Sequence, residues 1–229
     1  MDAAAKADLK QRIVAARGYW ARFHDVLLER SPQFLEAYVA FQSAPTRPGL
    51  LPKKLCEFIY IAIDLSVNHM YECGGRRHME YALKAGATPD ELLQVVLLTT
   101  VLSAHHPVDL GLAILGELAP GGTPQGDPAD PRTPIDAGLA VSYDAYGDAV
   151  WSEGPLSRLD KELIALAVCA APTCLHEPGI RRHMKAALDL GASPKEVYAV
   201  LQLAAALSVH TCTIGIPALD DVMAGKFVE

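Results

Sequence analysis

The sequence lacks the features that would place it in several common classes of protein. Its five cysteines follow no regular spacing and include no Cys-x-x-Cys pair, so a disulfide framework is not indicated. Acidic residues outnumber basic residues and the net charge is −7, which argues against sequence-independent binding of nucleic acid. Neither a Gly-x-Gly-x-x-Gly string nor a P-loop is present, and we therefore expect no organic cofactor.

Long uninterrupted apolar runs are also missing, although 51% of the residues are hydrophobic. No run approaches the ~18 apolar residues that a membrane span needs, and the first residues carry scattered charges in place of a signal peptide's apolar stretch. We therefore expect a cytoplasmic protein without a membrane partner. No alternating strand pattern of useful length occurs, so the sequence predicts an all-α fold.

An internal repeat organises the chain. The string Arg-Arg-His-Met occurs at 76–79 and again at 181–184, an offset of 105 residues, and the flanking residues match at that offset without a gap. A linker rich in proline and glycine separates the two copies. The predicted units are an N-terminal amphipathic helix (1–30), a first repeat (31–118), the linker (119–134) and a second repeat (135–229).

Apolar spacing and capping signals predict the helices. Apolar residues recur in steps of three and four from Leu9 to Leu27, which predicts one amphipathic helix over 3–29 that packs either on the body of the chain or on a neighbouring subunit. Each repeat then shows a nearly continuous apolar helix, a short helix that begins at the repeated histidine, and a long helix opened by Thr-Pro-Asp-Glu or Ser-Pro-Lys-Glu. The long helices are expected to end near His105 and His210.

Ionisable residues shared by the two copies are the candidates for chemistry. Glu57 and Glu162 lie in apolar helices, where a carboxylate needs a partner unless it is exposed near the helix start. A glycine-containing stretch could fold Glu72 back toward His78, giving either an acid–base pair or a structural hydrogen bond. The same interpretations apply to the matching residues of the second copy, Glu177 and His183.

Histidines and arginines complete the candidate set. His105 and His210 match at the repeat offset and are either site residues or cations favoured by a helix C-terminus. The paired arginines of each copy could hold a substrate carboxylate, or could form a solvated face or an intersubunit salt bridge. These arginines are Arg76, Arg77, Arg181 and Arg182.

The duplicated pattern from the histidine through Ala-Leu-x-x-Gly-Ala-Thr/Ser-Pro-x-Glu resembles the carboxymuconolactone decarboxylase/AhpD-like superfamily. The resemblance implies an all-α protein that assembles as a homo-oligomer, with a trimer expected. It places the first redox cysteine of the AhpD-like branch on His69 and Cys174. It places the relay histidine of that branch on Tyr71 and His176, and the second cysteine on Glu72 and Glu177. The downstream histidine falls on His78 and His183, but two residues late in both copies. Since the dithiol pair is absent, the sequence is closer to the decarboxylase branch.

The resemblance therefore implies a decarboxylase-like lyase, or a related hydrolase or isomerase, acting on a small carboxylated lactone or ring-cleavage product. His78 or His183 would transfer the proton, assisted by the glutamates, and an arginine would hold the substrate carboxylate. Cys174 and His176 make the second pocket chemically different from the first. One alternative is an AhpD-like thiol peroxidase or disulfide reductase. Another is a metal-binding or non-catalytic oligomeric protein, in which glutamates and histidines supply the ligands; no metal is expected in the leading interpretation.

Overall fold

The computed structural model describes residues 1–118 and 136–226, and over these ranges it contains helices and no strands, which confirms the all-α prediction. The expected linker at 119–134 lies outside the described residues. The helices are α1 (Ala3–Arg17), α2 (Arg22–Arg30), α3 (Pro32–Ser43), α4 (Lys53–Leu65), α5 (Glu72–Lys84), α6 (Pro89–Leu118), α7 (Ala137–Trp151), α8 (Arg158–Ala170), α9 (Glu177–Asp189), α10 (Pro194–Ala205) and α11 (His210–Met223). Short 3₁₀ turns lie at Ala44–Thr46 and Ala206–Val209.

The N-terminal segment forms two helices, so the prediction of one continuous helix was wrong. The break follows α1, where Gly18 caps the helix at φ 74, a left-handed conformation that glycine adopts without strain. Leu9 and Ile13 are almost fully buried, together with residues of α2 and α3, and this small core also contacts Val209 and Ile216. The apolar stripe thus packs on its own chain.

Two further boundaries differ from the prediction. α5 begins at Glu72, six residues before the repeated histidine, and α6 continues through Pro107 to Leu118, well beyond His105. By length and composition, α6 and the helical stretch Pro194–Met223 could each cross a membrane, which the sequence analysis did not anticipate. The core helices of a soluble protein pass the same test. The predicted capping boxes are present: Glu91 N–H donates to Thr88 Oγ1 at 3.1 Å, and Glu196 N–H to Ser193 Oγ at 3.2 Å.

The two repeats share one hydrophobic core. It is built mainly from α4 and α8, which contact each other, and from the buried faces of α6 and α10. Asn68 donates a hydrogen bond to the backbone oxygen of Thr173 at 2.7 Å, and these two positions are equivalent under the 105-residue offset. Contact between equivalent positions is expected where two repeats meet at a pseudo-twofold axis, as we predict for this chain.

The long helix of each repeat packs against the core helices of both repeats. α6 of the first repeat contacts α7 and α8 of the second, and α10 of the second contacts α3 and α4 of the first. Gln94 of α6 accordingly donates to the backbone oxygens of Val150 and Glu153, at 3.3 and 2.5 Å. The buried helix of each repeat, α4 or α8, is therefore also covered by the long helix of the other repeat.

Candidate active sites

Each repeat contains a buried glutamate paired with a histidine. Glu57 Oε2 lies 2.7 Å from Nδ1 of His78, and Glu162 Oε2 lies 2.7 Å from Nδ1 of His183. The glutamate comes from the buried helix α4 or α8, and the histidine from the second turn of α5 or α9. A carboxylate in such a helix needs a partner, and the imidazole supplies one. The structure thus brings together four of the predicted site residues as two pairs.

The other predicted glutamates do not join these pairs. Glu72 and Glu177 are exposed at the first position of α5 and α9, and each pairs with the arginine one turn later, at 2.7 Å to Arg76 and 2.6 Å to Arg181. The predicted contact of Glu72 with His78, and its counterpart in the second copy, was wrong. The helix already runs through this segment, so residues six apart lie on different faces of it.

The pair in the second repeat is held by further side chains. Arg158 contacts Glu162 Oε1 through Nε at 2.9 Å and Nη2 at 2.8 Å, a two-point contact that compensates the buried carboxylate. Trp151 stacks on the imidazole of His183, with ring centroids 5.7 Å apart, and Arg158 also lies over Trp151. Glu162 and His183 are thus fixed in position, and His183 keeps Nε2 for another contact.

This second pair lies in an open cleft of about 980 Å³ between α6, α7, α8 and α9. Glu162, His183, Arg158 and Arg182 all line it. Arg182 forms a 2.5 Å ion pair with Asp109 on the opposite wall. The cleft therefore combines an acid–base pair with two arginines that are each paired with a carboxylate, and Asp144 and Asp148 line it as well. A small anionic ligand could bind there by sharing a guanidinium.

The remaining predicted arginines lie elsewhere. Arg76 and Arg181 form the surface pairs already described, and Arg77 lies over the ring of Tyr19 at 5.0 Å. Only Arg182 of the predicted group lines the cleft, whereas Arg158 was not singled out from the sequence. The sequence did contain an indication of this contact, because Arg158 lies one helical turn before Glu162.

The first pair has a different environment. Tyr60 stacks on His78 with ring centroids 4.5 Å apart, and the position equivalent to Tyr60 in the second repeat is Ala165. Lys53 occupies the position equivalent to Arg158 and is exposed. The side chain of His78 is 18% exposed, against 8% for His183. An aromatic ring thus stacks on the histidine in both repeats, whereas among the described residues an arginine clamps the glutamate in the second repeat alone.

A partly buried polar cluster adjoins each pair, built from the end of α4 or α8, the turn that follows, and a histidine of the other repeat. The first cluster consists of Asp64, His69, Tyr71 and His210. His69 Nε2 lies 2.7 Å from His210 Nδ1, and His210 Nε2 lies 3.8 Å from Asp64 Oδ1. Burial raises the pKa of Asp64 to about 7 and lowers the pKa of His210 to about 4, so His210 is neutral at physiological pH.

The second cluster consists of His106, Cys169, Cys174 and His176, at positions equivalent to the first in three of its four members. His106 lies between the two thiols, with Nε2 3.2 Å from Cys169 Sγ and Nδ1 3.2 Å from Cys174 Sγ. Burial raises the pKa of Cys169 to about 12 and also raises that of Cys174. Both thiols are therefore protonated at neutral pH.

The histidines at the ends of the long helices also differ from the prediction. His210 joins the first cluster, but His105 packs against Tyr143 in the cleft, with ring centroids 4.6 Å apart. Its neighbour His106 is the residue that reaches the second cluster. The two copies therefore use histidines that do not align at the repeat offset, because α6 continues as a regular helix where α10 is followed by a 3₁₀ turn.

Comparison with known proteins agrees with this architecture of two tandem helical repeats. The sequence profile of the Carboxymuconolactone decarboxylase family matches residues 32–105 and 139–219, so the chain belongs to that family. A crystal structure at 1.70 Å of a protein from Burkholderia xenovorans LB400, provisionally described as a gamma-carboxymuconolactone decarboxylase subunit, is similar over 97% of this chain and 98% of that one. Its TM-score is 0.86 and its sequence identity is 26%. No curated protein matches the sequence.

Proposed function

We propose that the chain is a decarboxylase-like lyase acting on a small carboxylated lactone or ring-cleavage product, with its working site in the second repeat. The observation that supports this most strongly is the Glu162–His183 pair in a cleft that also presents Arg158 and Arg182. Family membership and the description of the Burkholderia structure favour this reaction class over other acid–base chemistry.

The proposed reaction is a proton-for-carboxylate exchange. The bond between the ring carbon and the carboxylate breaks, carbon dioxide leaves, and the electron pair stays on the ring conjugated with the lactone carbonyl. His183 then donates a proton from Nε2 to carbon, so atoms and charge balance without an oxidant or reductant. Glu162 holds Nδ1–H and stabilises the imidazolium before transfer, a role in which a positioned acid contributes roughly 10²–10⁴ in rate.

The arginines would position the substrate. Arg182 is half exposed and already paired with Asp109, so a substrate carboxylate can share its guanidinium from the cleft side. Arg158 is occupied by Glu162 and keeps part of its guanidinium exposed to the cleft. The cations thus favour an anionic substrate without requiring a change in the acid–base pair.

Thiol redox chemistry is not favoured by the geometry. Cys169 and Cys174 lie on opposite sides of the His106 ring, which separates the two sulfurs, and burial keeps both protonated. Disulfide exchange needs a thiolate and a second sulfur within bonding reach. We expect no turnover of peroxide with a dithiol donor, and multiple turnovers lost in Cys174→Ser would overturn this conclusion.

Assembly as a homo-oligomer, most simply a trimer, stays a prediction, as does a cytoplasmic location. The C-terminal half of α6 exposes Leu110, Ile114, Leu115 and Leu118, and such a patch is typical of a subunit interface. Light scattering at micromolar concentration tests the prediction, and a stable monomer would contradict it.

The proposed reaction is tested with the full chain and a panel of small carboxylated lactones and ring-cleavage dicarboxylates. We expect carbon dioxide release with at least one of them, and incorporation of one solvent deuterium per turnover in heavy water. Glu162→Gln should abolish both signals while Glu72→Gln, an exposed glutamate, serves as the matched control. Release of carbon dioxide that is unaffected by Glu162→Gln would refute the assignment of the site.

A further inference from the structure

The first cluster contains a buried carboxylate that the proposed chemistry does not use. Asp64 is 1% exposed, its Oδ2 makes no hydrogen bond within the described residues, and its nearest cationic candidate is His210 at 3.8 Å. An ionised carboxylate without a close cation is costly in a protein interior. The charge of Arg77 acts on Asp64 from a distance, but no ion pair within the described residues joins the carboxylate to a lysine or arginine.

Two imidazoles lie beside this carboxylate, with His210 between Asp64 and His69. His69 Nε2 and His210 Nδ1 approach to 2.7 Å, and the two rings are almost coplanar, with an interplanar angle of 3°. One ligand atom from each of Asp64, His69 and His210 lies within 4.8 Å of the other two. Ligands of one zinc ion at bond lengths of about 2.0–2.2 Å can be no more than about 4.4 Å apart. A cation would therefore have to replace the hydrogen bond between the two imidazoles, with a rotation of the His210 ring that aims one nitrogen at the ion.

We propose that Asp64, His69 and His210 bind one divalent transition-metal cation. Two imidazoles and a carboxylate form the donor set that suits zinc and neighbouring first-row metals, and they do not suit calcium or magnesium, which prefer oxygen. The cation would supply a positive charge in direct contact with Asp64. Three protein ligands leave further coordination positions for water or a ligand.

The ligands are held by their backbone surroundings. The backbone oxygen of Asp64 accepts from the N–H of Tyr71 at 2.7 Å, which closes the turn that carries His69. Gly74 packs directly on the carboxylate, since a Cβ at this position would lie 2.1 Å from Asp64 Oδ2. The first cluster therefore fixes Asp64 before any cation arrives, which lowers the cost of binding.

The second cluster is the competing site, because one ligand atom from each of His106, Cys169 and His176 also lies within 4.8 Å of the other two. His176 Nδ1 accepts from the backbone N–H of Gly179 at 3.2 Å, so the proton of the neutral ring is on Nε2. That nitrogen is buried and would have to lose its proton to act as a ligand. The site of metal binding is thus expected in the first cluster alone.

The proposal is independent of the lyase assignment, because cation binding is measured without substrate. Untagged full-length chain is titrated with Zn²⁺ by calorimetry and with Co²⁺ by absorption. We expect one Zn²⁺ per chain, and visible Co²⁺ bands without the near-ultraviolet thiolate-to-cobalt band that cysteine ligands would give. We expect Zn²⁺ binding to weaken by at least about tenfold in each of Asp64→Asn, His69→Ala and His210→Ala. Removal of a hydrogen-bond partner of a metal ligand already costs about 10- to 100-fold in affinity, so loss of a ligand should cost no less.

Matched variants of the second cluster separate the possible outcomes. His106→Ala and Cys169→Ser should keep Zn²⁺ affinity within about twofold of the unmodified chain, given the same helical circular dichroism. His69 is partly exposed in a turn, so His69→Ala tests the site even if a core variant unfolds. The proposal is overturned if the unmodified chain binds no Zn²⁺, if His69→Ala binds as well as the unmodified chain, or if a thiolate band appears and is lost in Cys169→Ser.

Discussion

The two glutamate–histidine pairs have the same geometry, 2.7 Å in each repeat, but their neighbours differ. In the second repeat an arginine clamps the glutamate and a tryptophan stacks on the histidine, at the wall of a large cleft. In the first repeat Tyr60 stacks on His78, and Lys53 takes the arginine position without contacting Glu57. The helical scaffold fixes the geometry of the glutamate–histidine pair, whereas the surrounding side chains determine which ligand can bind beside it.

This difference shows why a buried acid–base pair does not by itself define a catalytic site. A glutamate in a core helix requires a partner for stability alone, and the two repeats meet that requirement in the same way. Catalysis also requires space and charge for a substrate. The cleft and its cations favour the second repeat, and the following predictions test that distinction.

The largest effect is expected at the histidine of the second repeat. His183→Gln should lower kcat for carbon dioxide release by about 10²–10⁴, because no other group in the described cleft donates a proton from that position. His78→Gln is the matched change in the first repeat and should leave kcat within about threefold. Steady-state kinetics of both folded variants tests this prediction. An equal loss of kcat in the two variants would mean that both repeats are catalytically active.

Glycines beside the two clusters should affect stability rather than chemistry. An alanine Cβ would lie 2.1 Å from Asp64 Oδ2 in Gly74→Ala and 2.5 Å from Cys169 Sγ in Gly179→Ala. Overpacking of this kind costs about 1–3 kcal/mol. Denaturant unfolding should show the larger loss for Gly74→Ala, where a tyrosine ring is also within contact. Unfolding midpoints equal to that of the unmodified chain would show that the helices can separate locally.

The arginine clamp sharpens the same comparison. Arg158→Met leaves Glu162 with His183 as its one strong partner, and loss of hydrogen bonds to a buried carboxylate should cost about 1–3 kcal/mol. Arg158 is itself more than half exposed, so the lower part of that range is expected. Lys53→Met is the control in the first repeat. A thermal midpoint lowered equally by both substitutions would contradict the role of the clamp.

The last effect concerns acid stability. Burial lowers the pKa of His106 from 6.5 to about 4, so between these values the unfolded chain binds more protons and stability falls as pH falls. His106→Gln should therefore lose less stability than the unmodified chain between pH 6.5 and 4, with Asp109 opposing part of the effect. Unfolding curves at both pH values test this, and identical pH dependence in the two proteins would exclude His106 as a source.

Much of the fold could be predicted because its signals are local. The internal repeat, the capping boxes and the apolar helices are readable from residue spacing, and the structure contains them. The N-terminal helix break was missed because the apolar steps continue in register across Gly18 and Tyr19. The start of α5 was misplaced because the matching glycines Gly74 and Gly179 suggested a bend, whereas they lie buried within α5 and α9.

The site was predicted only in part, because part of its lining comes from the long helix of the other repeat. His183 and Glu162 stood out as shared ionisable residues, but nothing in the spacing shows that α6 of one repeat covers the buried helix of the other. The contacts of His106 and Asp64 with residues of the other repeat could be identified only from the structure. Glu72 and Glu177 were favoured by their matching positions, which the structure explains as matching surface ion pairs.

The central claim is that the second repeat binds the anionic substrate, and histidine ring resonances test it most directly. The chain is labelled at its eight histidines, assigned with His183→Gln and His78→Gln, and titrated with a small carboxylated lactone. The account predicts that the resonances of His183 and of its cleft neighbour His105 shift with saturation, while those of His78 stay in place. Saturable shifts at His78 with none at His183 would contradict it.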